Sequence, residues 1–178
     1  MSIVRRAAAR LKLMAFDIDG VLTDGCLYYG EDGKEWKAFN TLDGQGLRFL
    51  QQAGIELAVI TGRTSGAVAA RAANLEIRHL LQGVADKRAC LVALLDSLNL
   101  SPEEAGYMGD DVVDLPVMRL CAFSAAPANA HPLVRKYALL VAKARGGEGA
   151  AREVSDFILT AQGKLDSVLK PWLPDEKA

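Results

Sequence analysis

The chain has 178 residues, 51% hydrophobic and 24% charged, which is enough apolar mass for a single domain over residues 1–178 and leaves little for a second. Its 21 Lys and Arg nearly balance 22 Asp and Glu, for a net charge of -1, so it lacks the cationic excess that nucleic acid or an anionic membrane surface demands. No apolar run reaches the roughly 18 residues that a bilayer span needs.

In chain order, the first ten residues carry basic and small side chains but no apolar stretch before the acidic Asp17. They do not read as a signal peptide, and a cytoplasmic protein is expected. The three cysteines, Cys26, Cys90 and Cys121, agree with a reducing compartment, having neither a CxxC pair nor a nearby histidine for zinc. Residues 11–16 form an apolar run that predicts the first strand. It leads into Asp17-Ile18-Asp19-Gly20, where alternation along a strand sends Asp17 and Asp19 to one side and Ile18 into the core. Residues 26–39 hold two strand-like arms around a turn from Gly30 to Gly33, the pattern of a β-hairpin.

A helix is expected over 44–53, stopped at Gly54, and a strand over 55–60. That strand runs into Thr61-Gly62-Arg63, a hydroxyl, an approachable backbone and a bidentate cation, all suited to phosphate. Then follow a helix over 65–74, a strand over 77–81 and a helix over 87–98, opened by Lys87 and carrying Leu91, Leu94, Leu95 and Leu98 on one face. Ser101-Pro102-Glu103-Glu104 is a start signal for one short helical turn. The strand over 105–108 leads into Gly109-Asp110-Asp111-Val112-Val113-Asp114, and shorter strands are expected over 122–124 and 138–141. His79 and His131 lack ligand spacing and read as structural.

This order of elements predicts an α/β fold: a Rossmann-like parallel sheet covered by helices on both faces, with right-handed crossovers and a β-hairpin insertion after the first strand. Functional groups then gather at the carboxyl ends of the strands. There Asp17, Asp19, Asp110, Asp111 and Asp114 crowd around Lys87, an imbalance that calls for a divalent cation. A donor set made only of oxygens selects Mg²⁺ over zinc. A nucleophilic carboxylate, a hydroxyl, a lysine and metal-binding acids together describe phosphoryl transfer through an aspartyl-phosphate.

Four segments resemble, in order and spacing, the motifs of the haloacid dehalogenase-like phosphatases: Asp17 to Asp19, Thr61, Lys87, and Gly109 to Asp114. The resemblance covers residues 11–163. Between Asp19 and Thr61 a hairpin and a helix use up the chain, which leaves no large cap domain. Lys37-Ala38-Phe39-Asn40, Asp43-Gly44-Gln45-Gly46, Gln82-Gly83 and Arg145-Gly146-Gly147-Glu148-Gly149 are similar to the capless sugar-acid phosphatases of that family.

This resemblance implies hydrolysis of 3-deoxy-D-manno-octulosonate (KDO) 8-phosphate, a step in lipopolysaccharide synthesis, with Asp17, Asp19, Thr61 and Lys87 as catalytic residues. It implies Mg²⁺ held by Asp17, Asp19 and Asp110, with Asp111 and Asp114 in support. It places substrate contacts at Asp19, Asn40, Thr41, Leu42, Asp43, Gly44, Arg48, Gly62, Arg63, Arg71 and Lys87. It also implies a homo-oligomer, a tetramer, in which one subunit's hairpin and another's tail complete each site, the tail running from Arg145 within residues 145–178. Two other readings stand beside it. One is a phosphatase for a nine-carbon sugar-acid 9-phosphate, against which Arg63 weighs, because by resemblance that branch tends to carry an acidic residue there. The other is a phospho-acceptor receiver domain, against which the motif order weighs, since the paired acids open the chain.

Overall fold

The first strand, β1 (Leu13–Phe16), is buried along its whole length, and its side chains alternate between two cores. Leu13 and Ala15 enter one, Met14 and Phe16 the other. A strand covered on both faces has no polar side, which explains its continuous apolar run. The computed structural model describes residues 2–174; the end of the tail expected over 145–178 lies outside the described residues.

Ahead of β1 lies a short helix, α1 (Ile3–Ala8), and after it the hairpin strands β2 (Tyr28–Tyr29) and β3 (Glu35–Trp36). The chain continues as α2 (Thr41–Gln52), β4 (Glu56–Ile60), α3 (Gly66–Asn74), β5 (His79–Leu81), α4 (Lys87–Leu98) and β6 (Ala105–Met108). It closes with α5 (Leu115–Met118), β7 (Phe123–Ala126), α6 (Pro132–Tyr137), β8 (Leu140–Val141), α7 (Ala150–Ala161) and α8 (Leu165–Leu169). Six strands form a parallel sheet in the order β5-β4-β1-β6-β7-β8, while β2 and β3 pair antiparallel outside it. Helices α2, α3 and α7 fill one core, and α4, α5 and α6 the other. Among the described residues there is no large cap domain, and the α/β sheet, its helical layers and the small hairpin are as expected.

Because β1 sits between β4 and β6, the segments that follow these three strands leave the same sheet edge side by side. Helix α2 starts earlier than the 44–53 pattern suggested, because Asn40 Oδ1 accepts the Leu42 amide at 2.8 Å and caps the extra turn. The turn expected at Ser101 is a 3-10 turn over Pro102–Glu104, whose Glu104 carboxylate accepts the Ser101 amide at 3.0 Å.

The segment from Arg145, expected to complete a neighbouring subunit's site, is anchored on its own chain. Gly147 N donates to Val21 O at 3.0 Å, and a Cβ on Gly146 would stand 1.8 Å from Gly20 O, so only glycine lets this segment press on the chain's own Asp17-to-Gly20 loop. Beyond it, Ala150, Ala151, Val154, Ile158 and Leu159 of α7 are fully buried, because their helical spacing forms an apolar stripe against the sheet.

Candidate active site

Asp17 follows β1 directly, its amide donating to Met108 O of β6 at 3.0 Å. Its carboxylate lies 2.8 Å from the Lys87 ammonium, which lies 2.7 Å from Asp114. Lys87 is the first residue of α4, and Asp86 caps that helix by accepting the Ala89 amide at 2.9 Å. Burial works to lower the Lys87 pKa, but Asp17 and Asp114 outweigh it and hold the ammonium charged.

Asp114 is fully buried and serves as the hub of this end of the sheet. One carboxylate oxygen receives Lys87 and lies 3.3 Å from the Tyr107 hydroxyl; the other accepts the amides of Asp110 and Asp111 at 3.1 and 3.3 Å. Both oxygens are thereby committed to positioning Lys87 and the Asp110 loop. Asp111 is exposed, and its carboxylate caps the next turn by accepting the Val112 amide at 2.7 Å. Asp110 instead closes on the first loop: a Cβ on Gly20 would lie 2.1 Å from Asp110 Oδ2.

Carboxylate oxygens of Asp17, Asp110 and Asp114 all lie within 4.8 Å of one another. Burial pushes Asp17 up to about 6, reinforced by Asp114, and pushes Asp110 up to about 7, reinforced by Asp17 and Asp114. Clustered hard oxygens whose negative charge exceeds that of the one ammonium fit a divalent cation of the Mg²⁺ type.

The sign of these shifts gives a measurable consequence. Carboxyls whose pKa rises on folding contribute stability that is complete below their unfolded value near 4 and is lost as pH climbs through about 6 and 7. Metal-free protein should therefore melt about 5 °C lower near pH 8 than near pH 5.5, and a divalent cation should recover the loss. Equal melting temperatures in chelator at both pH values, followed by circular dichroism, would contradict the crowding.

Thr61, buried at the end of β4, accepts the Arg63 amide on its hydroxyl at 3.4 Å, and Gly62 beside it is exposed. Asp19 does not share the Lys87 ammonium. Its carboxylate pairs with Lys37 in a short contact and lies 3.7 Å from Arg63. Lys87 is thus not the lone cation of the site. Lys37 stood in a family-like motif with no role assigned, and its second partner Glu35, at 3.0 Å, was not singled out from the sequence, nor was Tyr107. A lysine and a glutamate on a hairpin arm look like ordinary solvated charges until the hairpin is folded over the loop.

The remaining residues divide. Thr41 and Leu42 are exposed at the start of α2. Asn40 caps that helix and donates to Gly147 O at 3.2 Å, while Arg71 donates to Asn40 O at 3.3 Å and fills the space that a side chain at Gly44 would take. Two expected substrate contacts already have partners within the chain. Asp43 is buried, and its oxygens accept the Gly149 and Arg152 amides at 3.2 and 2.9 Å; a carboxylate suits the positive end of α7. Arg48 donates to Asn74 O at 2.8 Å and lines a groove at the amino end of β4 with Gln51, Glu56 and Arg78, away from the carboxylates. His131 caps α6 and His79 lies 3.5 Å from Glu56, both outside the cluster.

A family model of haloacid dehalogenase-like hydrolases matches residues 74–154. The 3-deoxy-D-manno-octulosonate 8-phosphate phosphatase of Escherichia coli is 47% identical over 163 residues, 92% of this chain and 87% of that protein. The phosphatase of the same name from Moraxella catarrhalis, solved in complex with a magnesium ion, a phosphate ion and KDO, superposes with a TM-score of 0.95 at 39% identity, covering 97% of this chain and 99% of that one. A cobalt-bound deoxy-D-mannose-octulosonate 8-phosphate phosphatase from Haemophilus influenzae gives 0.87 at 39% identity, over 90% and 94% of the two chains. The chain belongs to the haloacid dehalogenase-like hydrolases, as a phosphoric monoester hydrolase in the family that these sugar-acid phosphatases form.

Proposed function

We propose that the chain hydrolyses KDO 8-phosphate to KDO and inorganic phosphate in the cytoplasm, through an aspartyl-phosphate on Asp17. The observation that carries this reading is the pairing of Asp17 with a buried ammonium, Lys87, at the centre of the sheet edge. A carboxylate oxygen of Asp17 attacks phosphorus as the ester P–O bond breaks, and Asp19 gives a proton to the departing alkoxide. Water then attacks the acyl phosphate, Asp19 takes its proton, and phosphate leaves. Lys87, Thr61 and the Gly62 amide balance charge on the phosphoryl oxygens. Asp17, Asp110 and the Asp19 main-chain carbonyl would hold Mg²⁺, which supplies positive charge to the same oxygens when bound. Asp111 and Asp114 act in support, as loop cap and as the anchor of Lys87.

At the mouth, Arg63, Thr41 and Leu42 face incoming substrate, with Asn40, Gly44 and Arg71 behind them. The Arg63 cation favours the eight-carbon acid over its nine-carbon relative. A panel of phosphorylated sugars and sugar acids, assayed for phosphate release with Mg²⁺ and with excess chelator, tests the reading. KDO 8-phosphate should be turned over fastest and chelation should stop turnover; full activity in chelator would refute the metal's role, and a better substrate would refute the assignment.

The oligomer belongs to the same proposal. The hairpin leaves Leu27, Tyr28, Tyr29 and Trp36 exposed, an apolar surface with open strand edges that symmetric copies of the chain can cover. The expected assembly is a tetramer closed through the hairpins. A fully active monomer in sedimentation at micromolar concentration would contradict it. Among the described residues no helix is long and apolar enough to cross a membrane, and their three cysteines are free thiols, which suits a reducing cytoplasm.

A further inference from the structure

Four charged side chains close a ring at the mouth of the site. Lys37 pairs with Asp19 and with Glu35, and Arg63 pairs with the same two carboxylates. Two members, Glu35 and Lys37, come from the hairpin; the other two come from the loops after β1 and β4. Arg63 also donates to the Tyr29 hydroxyl at 3.2 Å. The ring is neutral as built, and its members differ in exposure. The Lys37 side chain is 1% exposed, whereas that of Arg63 is 44% exposed and so open to a solute.

An anion entering here meets cations that already have partners. If a carboxylate joined without displacing one, the ring would carry an excess negative charge. If Glu35 withdraws as it joins, both cations keep two carboxylates and neutrality is preserved. This matters most for Lys37, since a buried charge deprived of a partner is costly. Asp19 is fixed by its place after β1, whereas Glu35 reaches the ring from the hairpin on a side chain one methylene longer, with one more rotatable bond to swing on. Glu35 is therefore the exchangeable member.

We propose that the Glu35 carboxylate is an internal stand-in for the sugar-acid carboxylate, holding Lys37 and Arg63 until the substrate's own carboxylate replaces it. This rests on the sugar-acid phosphate reading above. It makes Glu35 a specificity residue: a phosphomonoester without a carboxylate has nothing to exchange and leaves Glu35 in place, whereas a sugar acid turns the Glu35 side chain out of the ring as it binds. Discrimination then comes from an element working against the wrong ligand as well as from attraction to the right one.

The test uses the full-length enzyme with Mg²⁺, comparing wild type with Glu35→Gln and Glu35→Ala. Kinetics are measured on KDO 8-phosphate and on p-nitrophenyl phosphate, and free KDO is titrated as an inhibitor of p-nitrophenyl phosphate hydrolysis. With its competitor gone, KDO 8-phosphate should show a KM about fivefold lower, and KDO inhibition should tighten by about the same factor, the scale of a partly exposed ion pair. KM for p-nitrophenyl phosphate should move by less than about twofold. Equal shifts for both substrates, or KDO inhibition that is unchanged or weaker in both variants, would overturn the proposal and leave Glu35 a structural latch. If the wild type does not turn over KDO 8-phosphate, the substrate reading fails on its own, and KDO inhibition still decides the role of Glu35.

Discussion

Asp17→Asn is expected to lower turnover by about 10⁴ or more, the scale on which loss of a covalent nucleophile is felt. The amide keeps the shape of the side chain but cannot form the acyl phosphate, and it takes away one of the two carboxylates that hold the Lys87 ammonium. Asp114 keeps its own bonds to Lys87 and to the Asp110 loop, so the site should stay assembled and the loss should be chemical. Asp19→Asn should be milder, about 10² to 10⁴, as expected of a general acid-base. Two measurements check this. Phosphate release gives the rates, and mass analysis of acid-quenched enzyme should find phosphate on the Asp17 peptide in wild type and none in Asp17→Asn. Turnover near the wild-type rate in Asp17→Asn would end the nucleophile assignment.

Deleting the chain from Gly146 onward is expected to abolish folding, and with it every trace of the site. The deletion removes Val154, Ile158 and Leu159, all fully buried. At about 1.5–3 kcal/mol for each such side chain, they contribute about 5–9 kcal/mol, against a total stability of about 5–15 kcal/mol for an ordinary domain. Asp43 would also lose both amides that it accepts from α7, leaving a buried carboxylate without partners. The truncated chain should show no cooperative thermal transition by calorimetry. A folded truncated enzyme that melted within a few degrees of wild type would mean that α7 adds far less than its burial indicates.

Much of the fold was legible because the sheet is buried on both faces. Strands such as β4 and β6 must then be apolar throughout, and such runs stand out between amphipathic helices. The α4 pattern matched over its whole length, since Leu91 and Leu95 point into one core. Helices α6 and α7 were missed for a different reason. The glycines from Gly146 to Gly149 were read as part of a segment that closes over a neighbouring subunit's site, although the apolar spacing beyond them, from Ala150 to Leu159, carried the signal of a buried helix. The early start of α2 was missed because two glycines near it lower helix propensity, and the Asn40 cap that offsets them acts through the folded backbone.

For the site, the sequence by itself determined which groups stand at the ends of β1, β4 and β6. Strand periodicity and motif order place Asp17, Asp19, Thr61 and Asp110 there whatever the rest of the chain does, and residue chemistry alone picks out hard-oxygen metal ligands and a phosphate-binding cation. Only the tertiary structure decided how the charges are shared. Lys87 serves Asp17 and Asp114, while Asp19 is served by Lys37 and Arg63. Asp43, one helical turn from Asn40, gives its carboxylate to the amides at the start of α7. The physical reason is that a charge pair depends on distance and burial between segments far apart in the chain. Lys37 and Asp19 are joined only when the hairpin folds back over the first loop, and no local pattern in either segment records that meeting.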